Sequence, residues 1–277
     1  MNESIVKKLS ALYTTSKRQN KTNDFLNVLI IPDTHDSPTI PSDRFKWIGK
    51  CIDYFLPDEV IHIGDLITFD SLCWHIGNET MAGKNKGTFT EDIEHCDKSL
   101  DLMFQHMKKY RLLKRNFHLC LGNHENRLFK FEDKNPEIYK LMQKEFFNLL
   151  SRYNISWSMY GDFIMRKGVG FTHIPFNARG KEFSGVNTER SSGQQCNMDL
   201  VFGHTHRFNY VTVPKIGGND HQNILNVGTA LPDGHIENYA KIGMTGWCYG
   251  VALIRLFDKH IQDVYYISMK TLEKLFR

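Results

Sequence analysis

Short apolar runs, each cut off by a polar turn, recur along this chain. Asn27 to Ile31 (NVLII) reads as a buried strand and stops at Pro32. Val60 to Ile63 (VIHI), Asn116 to Leu121 (NFHLCL) and Met198 to Phe202 repeat the design and stop at Gly64, Gly122 and Gly203. Between such runs the hydrophobic period changes to that of a helix. Residues 43–55 (DRFKWIGKCIDYF) carry that period up to Pro57. Thr88 or Thr90 caps a second helix, with Glu91, Asp92 and Glu94 suited to its N-terminal dipole, running through Leu100, Met103, Phe104 and Met107 toward Lys109. A third helix is expected over 136–152, with Pro136 near its first turn. Asp162–Arg166 and Val169–His173 flank Lys167-Gly168 and read as a hairpin. Strand-like runs at 210–213, 223–227, 249–257 and 261–267 follow, the last two joined by a turn at Asp258-Lys259-His260, and a short amphipathic helix ends the chain.

Two polar stretches interrupt this order. Residues 77–87 (GNETMAGKNKG) read as a mobile loop. Their likeness to a phosphate-binding Walker loop fails, because there is one residue too many before Gly83-Lys84 and Asn85 stands where Ser or Thr is needed. Residues 174–195 form a long connection rich in Gly, Ser and Arg, and loops of that length inside a domain tend to be functional. At the N-terminus, Ile5, Leu9 and Leu12 fall at helical spacing before a basic tail. Residues 1–24 are therefore expected to be a helical, basic extension and 25–277 a single domain.

Composition narrows the class. The chain has 277 residues, 41% hydrophobic and 24% charged, with a net charge of +4. That suits an anionic substrate without being the charge density of a nucleic-acid coat. Six cysteines are scattered without a C-x-x-C pair, which points to a reducing compartment. No apolar run reaches membrane-spanning length and no secretory leader pattern opens the chain, so a soluble, cytoplasmic protein without membrane partners is expected.

The candidate chemistry lies where the strands stop. Asp33-Thr34-His35 follows the first, Gly64-Asp65 the second and Gly122-Asn123-His124-Glu125 the third. His173 ends the hairpin, and Gly203-His204-Thr205-His206 follows the next strand. In layered α/β sheets the carboxyl ends of neighbouring strands face a common crevice. Seven donors, Asp33, His35, Asp65, Asn123, His173, His204 and His206, exceed the about four to six ligands of one divalent ion and suit two ions sharing a carboxylate. The set holds no thiolate, which favours Mn, Fe, Ni or catalytic Zn over a structural zinc. His62 lies inside a strand and reads as a core histidine. His75, His95, His106, His118, His221, His235 and His260 have no partner motif and read as structural or surface.

The ordered set D-x-H, G-D, G-N-H-E, H and G-H-x-H, spanning 33–206, resembles the calcineurin-like metallophosphoesterase superfamily. The resemblance implies an α/β four-layer fold, two mixed β-sheets sandwiched between helices, with two divalent metal ions at the strand ends. It places Asp33, His35 and His206 on the first metal, Asn123, His173 and His204 on the second, and Asp65 between them. His124 would be the catalytic acid rather than a ligand. Two cations about 4 Å apart acidify a shared water and clamp phosphoryl oxygens, and an imidazole can protonate the leaving alkoxide. The family often has an acidic residue three positions after the bridging aspartate to orient that histidine; here Thr68 stands there. Either Asp70 takes over across a longer loop, or a backbone carbonyl does. The absent Asp-Arg-Gly extension argues against a protein phosphatase.

The expected function is metal-dependent hydrolysis of a phosphodiester, with manganese the favoured metal and nucleic acid or a nucleotide the candidate substrate. A nuclease and a small-nucleotide phosphodiesterase both fit. A phosphomonoesterase and a non-catalytic scaffold of the same fold stand as alternatives. Arg127, one helical turn from His124, is the favoured substrate-binding residue, ahead of Arg179, Lys181, Arg190 and Arg207. Phe176 and Phe183 are candidates to stack on a base.

Overall fold

The computed structural model describes residues 24–73, 81–217, 220–237, 240 and 246–277. The expected N-terminal helix with its basic tail, the start of the 77–87 stretch and His75 lie outside the described residues. In β1 (Leu26–Ile31), Leu29 and Ile31 enter one buried cluster while Val28 and Ile30 enter another. Successive side chains leave a strand on opposite faces, so a strand apolar throughout must sit between two layers. β1 lies inside a six-stranded sheet of order β11 (His260–Ser268), β10 (Gly250–Phe257), β1, β2 (Glu59–His62), β3 (Asn116–Cys120) and β4 (Ile155–Ser158). β1 to β4 run parallel, and β10 lies antiparallel to both β1 and β11.

The second sheet has five strands in the order β5 (Ile164–Arg166), β6 (Val169–Phe171), β7 (Leu200–Phe202), β9 (His221–Val227) and β8 (Phe208–Pro214). Its three inner strands are parallel and its two edge strands antiparallel to them. Ile30, Ile61 and Ile254 of the first sheet meet Phe171, Val201 and Leu225 of the second in one buried cluster. Complete burial of each such side chain contributes about 1.5–3 kcal/mol. The outer face of the six-stranded sheet is covered by α1 (Asp43–Phe55), α3 (Phe89–Gln105), α6 (Leu141–Arg152) and α8 (Met269–Phe276). Gly193 of α7 (Thr188–Gln195) lies against Val213 and Ile224, so that helix covers the second sheet. The result is helix, sheet, sheet, helix, the four layers expected.

Several elements depart from expectation, each for a local reason. The second helix starts at Thr88 in a reciprocal cap with Glu91 and ends at Gln105, short of Lys109. A separate turn, α4 (Lys108–Leu112), follows, begun by Asp53 Oδ1 accepting the N–H groups of Lys109 and Tyr110. The helix expected over 136–152 is divided. A 3₁₀ turn covers Pro136–Ile138, Lys140 takes a left-handed φ of 65°, and α6 begins after it. The buried Glu132 carboxylate accepts the N–H groups of Lys140 and Gln143 and so caps α6 from outside. Glu132 belongs to α5 (Glu125–Lys134), a mostly polar helix that the pattern did not announce. β4 was also missed, being a short edge strand of mixed polarity. The polar stretches contain α2 (Met81–Lys84) and α7. The six cysteines are free, and no helix among the described residues is long and apolar enough to cross a membrane.

Candidate metal centre

β1, β2 and β3 are parallel neighbours in one sheet, and β6 and β7 are parallel neighbours in the other. Their carboxyl ends therefore open onto one seam, and an isolated bridge between Asp33 and Thr229 ties the two sheets together there. All eight positions singled out at strand ends meet at this seam.

In one half, His206 Nε2 lies 3.2 Å from Asp33 Oδ2 and 3.0 Å from His35 Nε2. In the other, Asn123 Oδ1 lies 2.9 Å from His173 Nε2 and 2.8 Å from His204 Nδ1, and those two nitrogens are 3.2 Å apart. Asp65 stands between the halves. Its Oδ2 is 3.3 Å from His173 Nε2 and 3.7 Å from His35 Nε2. The backbone supports the convergence: Asp65 Oδ1 accepts the His124 N–H, and Asp33 Oδ2 accepts the His204 N–H. A Cβ at Gly122 would overlap Asp65 Oδ1, and one at Gly203 would overlap Asp33 Oδ1, so both turns need glycine for close approach.

The donor set fits divalent cations. His35 Nε2, His206 Nε2 and Asp33 Oδ2 crowd together, while the other ends of the same groups, Asp33 Oδ1, His35 Nδ1 and His206 Nδ1, are buried without a hydrogen-bond partner, so the cluster is under-satisfied by protein groups alone. Two imidazole nitrogens at 3.0 Å can share only one hydrogen, which leaves at least one lone pair aimed inward. His173 donates from Nδ1 to the Ile63 carbonyl, so its Nε2 faces the site, the usual outer support of a metal-ligating imidazole. Three donor groups, Asp33/His35/His206, His35/Asp65/His124 and Asp65/His173/His204, each lie within 4.8 Å. The second includes His124, so proximity alone does not separate an acid from a ligand.

The charges explain the pKa shifts. Burial opposes an ionised Asp65, yet His173 and His124 hold it well below the usual carboxylate range. Burial lowers His173, but Asp65 and Asp33 reverse this and raise it to about 9. Burial and then His173 bring His204 down to about 4. Burial and the neighbouring His124 also lower His35.

His124 is oriented by a backbone group. Its Nδ1 donates to the Thr68 carbonyl at 2.8 Å, which leaves Nε2 facing Asp65 at 4.0 Å. Asp70 does not reach it; Asp70 pairs instead with Arg127 at 3.2 Å. Arg127 also donates to the Thr68 carbonyl and places Nη2 3.2 Å from His124 Nε2. The other basic candidates lie differently. Arg179, Lys181 and Arg190 are exposed, and Arg207 donates to the Gly185 carbonyl. Phe183 is buried as loop packing, whereas Phe176 is half-buried edge-on to Tyr160. His62, as expected, is a core residue, bonded to Thr34 Oγ1.

Three contributors carried no signal of their role. Glu125 is completely buried, and its carboxylate accepts the N–H groups of Asp65, Ile67 and Gly122, lashing together two turns that carry ligand candidates. It sits inside the G-N-H-E motif, but nothing local reveals partners 60 residues away. Tyr160 lies 6.2 Å from the His173 ring and bonds Glu182, and Trp247 stands edge-on to His206 at 4.3 Å. Both form aromatic walls of the site.

Known proteins supply the family. Two solved structures are similar in part: Yfce, a phosphoesterase from E. coli, at 14% identity and a TM-score of 0.36, covering 88% of this chain and 100% of that one; and the Pseudomonas putida nuclease MPE, at 12% and 0.34, covering 87% of each. Among curated proteins no sequence match is found. The model of the calcineurin-like phosphoesterase family matches residues 26–208, which include every strand-end position above. With that match extending over most of its length, the chain belongs to the calcineurin-like phosphoesterase family.

Proposed function

We infer that this chain is a two-metal phosphoesterase that hydrolyses a phosphodiester, with a nucleotide or nucleic acid as substrate. Asp33, His35 and His206 would hold one ion, Asn123, His173 and His204 the other, and Asp65 would bridge them. When bound, the two ions supply Lewis acidity, which draws in phosphoryl oxygens and acidifies water. Manganese suits this set of oxygen and imidazole donors. The activity is assigned to residues 25–277, with 1–24 an extension.

The chain's own groups do the rest. His124 keeps a hydrogen on Nδ1 for Thr68, so Nε2 is the end open to the ester, and it is the imidazolium form, protonated at both nitrogens, that would hand the Nε2 proton to the leaving alkoxide. Arg127, with one edge committed to Thr68 and Asp70, turns Nη2 toward the same place and would hold a phosphoryl oxygen. Tyr160, Phe176 and Trp247 give the site aromatic walls that suit a base-bearing ester. The observation that carries the reading is the meeting of seven donors from two sheets at one seam, Asn123 reaching His173 and His204 and the other six falling in groups within 4.8 Å.

The test is hydrolysis of bis-p-nitrophenyl phosphate and p-nitrophenyl phosphate with manganese and with chelator. Diester turnover that chelator abolishes is the expected result. Turnover of the monoester alone would make the chain a phosphomonoesterase. Two bound ions without any turnover would make it a scaffold.

A further inference from the structure

The turn Gly203-His204-Thr205-His206 sends consecutive ligand candidates to opposite halves of the site. His204 reaches Asn123 at 2.8 Å, and His206 reaches Asp33 at 3.2 Å. Both take left-handed φ values, 67° and 58°, which non-glycine residues hold only when their surroundings insist. Thr205, between them, is gripped from behind. Its Oγ1 accepts from Asn226 Nδ2, and the same nitrogen donates to Glu189 Oε1 at 2.7 Å. Asn226 and Glu189 are almost completely buried, on β9 and α7 respectively. Asn226 Oδ1 has no partner. The orientation of that amide therefore depends on its two hydrogens. A threonine hydroxyl can face either end of an amide, but a carboxylate only accepts. Glu189 is the group that turns the Asn226 donors toward Thr205. A second tie joins the same region, from Arg207 Nη2 to the Gly185 carbonyl at 3.0 Å.

We propose that Glu189 is a positioning residue for the metal centre, acting through the Asn226 amide and the Thr205 hydroxyl to hold His204 and His206 in register. This rests on the metal-site reading above. It also gives the 174–195 connection a role, since the helix within it supports the turn that supplies ligand candidates to both halves of the site.

The test is manganese titration by calorimetry on the full chain, stripped with chelator, with circular dichroism and thermal melting to check the fold. The wild-type chain should bind two ions. Glu189→Leu should bind them about 10–100-fold more weakly, as loss of an outer support does, while Glu189→Gln, which still accepts, should stay near wild type. Should Glu189→Leu fail to fold, Thr205→Ala removes the hydroxyl together with its γ-methyl and should show the same weakening. In a folded Glu189→Leu chain, adding Thr205→Ala should cause no further loss. Wild-type affinity in Glu189→Leu or in Thr205→Ala would overturn the proposal, as would equal losses in the Leu and Gln variants or additive losses in the double variant. A wild-type chain that binds no manganese would overturn the metal-site reading and this inference together.

Discussion

His124 is held at one nitrogen and offered at the other. Burial lowers its pKa, Asp65 opposes that, and Arg127 lowers it again. A lowered pKa makes the imidazolium a stronger acid but a scarcer form, and the Thr68 carbonyl fixes Nε2 as the nitrogen open to the site. His124→Ala should therefore keep its metal content and lose about 10²–10⁴-fold in rate on an ester with an unactivated alcohol, with a much smaller loss on a p-nitrophenyl ester. Equal losses on both, measured as kcat/KM, would remove the acid role. Asp65 Oδ2 faces the site nitrogens of both halves, His35 Nε2 and His173 Nε2. Asp65→Ala should lose both ions, as read by metal analysis after gel filtration; retention of a full pair would show that the halves bind independently. At this scale the sequence was informative about identity and silent about support. It displayed the motif residues, but Thr68 takes part through its carbonyl, a group every residue has, and so left no mark.

The helices and strands show where pattern reading succeeds. α1 runs over the expected 43–55, because its apolar period is clean and Leu56, in a left-handed conformation before Pro57, stops it. α3 begins at a capping box of Thr88 and Glu91, whereas the sequence admits either Thr88 or Thr90 as the cap. Thr88→Ala should lower stability by about 1 kcal/mol, measured by urea unfolding, and leave manganese affinity unchanged; a change in affinity would tie the cap to the site. α5 failed to announce itself for the opposite reason. Two of its glutamates, Glu125 and Glu132, are buried and spend their carboxylates on the N–H groups of other segments. With two acids turned inward and only Leu128, Phe129 and Phe131 apolar, the helix offers no long hydrophobic stripe. β4, at a sheet edge with two exposed positions, shows none either.

The described residues form a sandwich whose candidate site is the seam between its sheets, so global stability and site geometry depend on the same packing. His118, on β3, is held between the hydroxyls of Ser156 and Ser158 on the edge strand. Burial brings its pKa down from 6.5 to about 4. The folded imidazole therefore stays neutral where the unfolded one has begun to take a proton. Its contribution to stability is complete above pH 6.5 and is lost as pH falls toward 4. Wild-type protein should lose melting temperature across that window more steeply than His118→Gln does; parallel curves would show that His118 does not report on folding.

The sequence by itself determined the strand ends and their ligand-type residues, the main helices and the family, because periodicity, capping and motif spacing are local and survive in a one-dimensional string. Tertiary structure alone decided that positions from Asp33 to His206 meet, that a carbonyl rather than Asp70 orients His124, and that Glu125 and Glu189 lie behind the turns. Those outcomes depend on hydrogen bonds between residues tens of positions apart, and such partners are chosen by how two sheets pack.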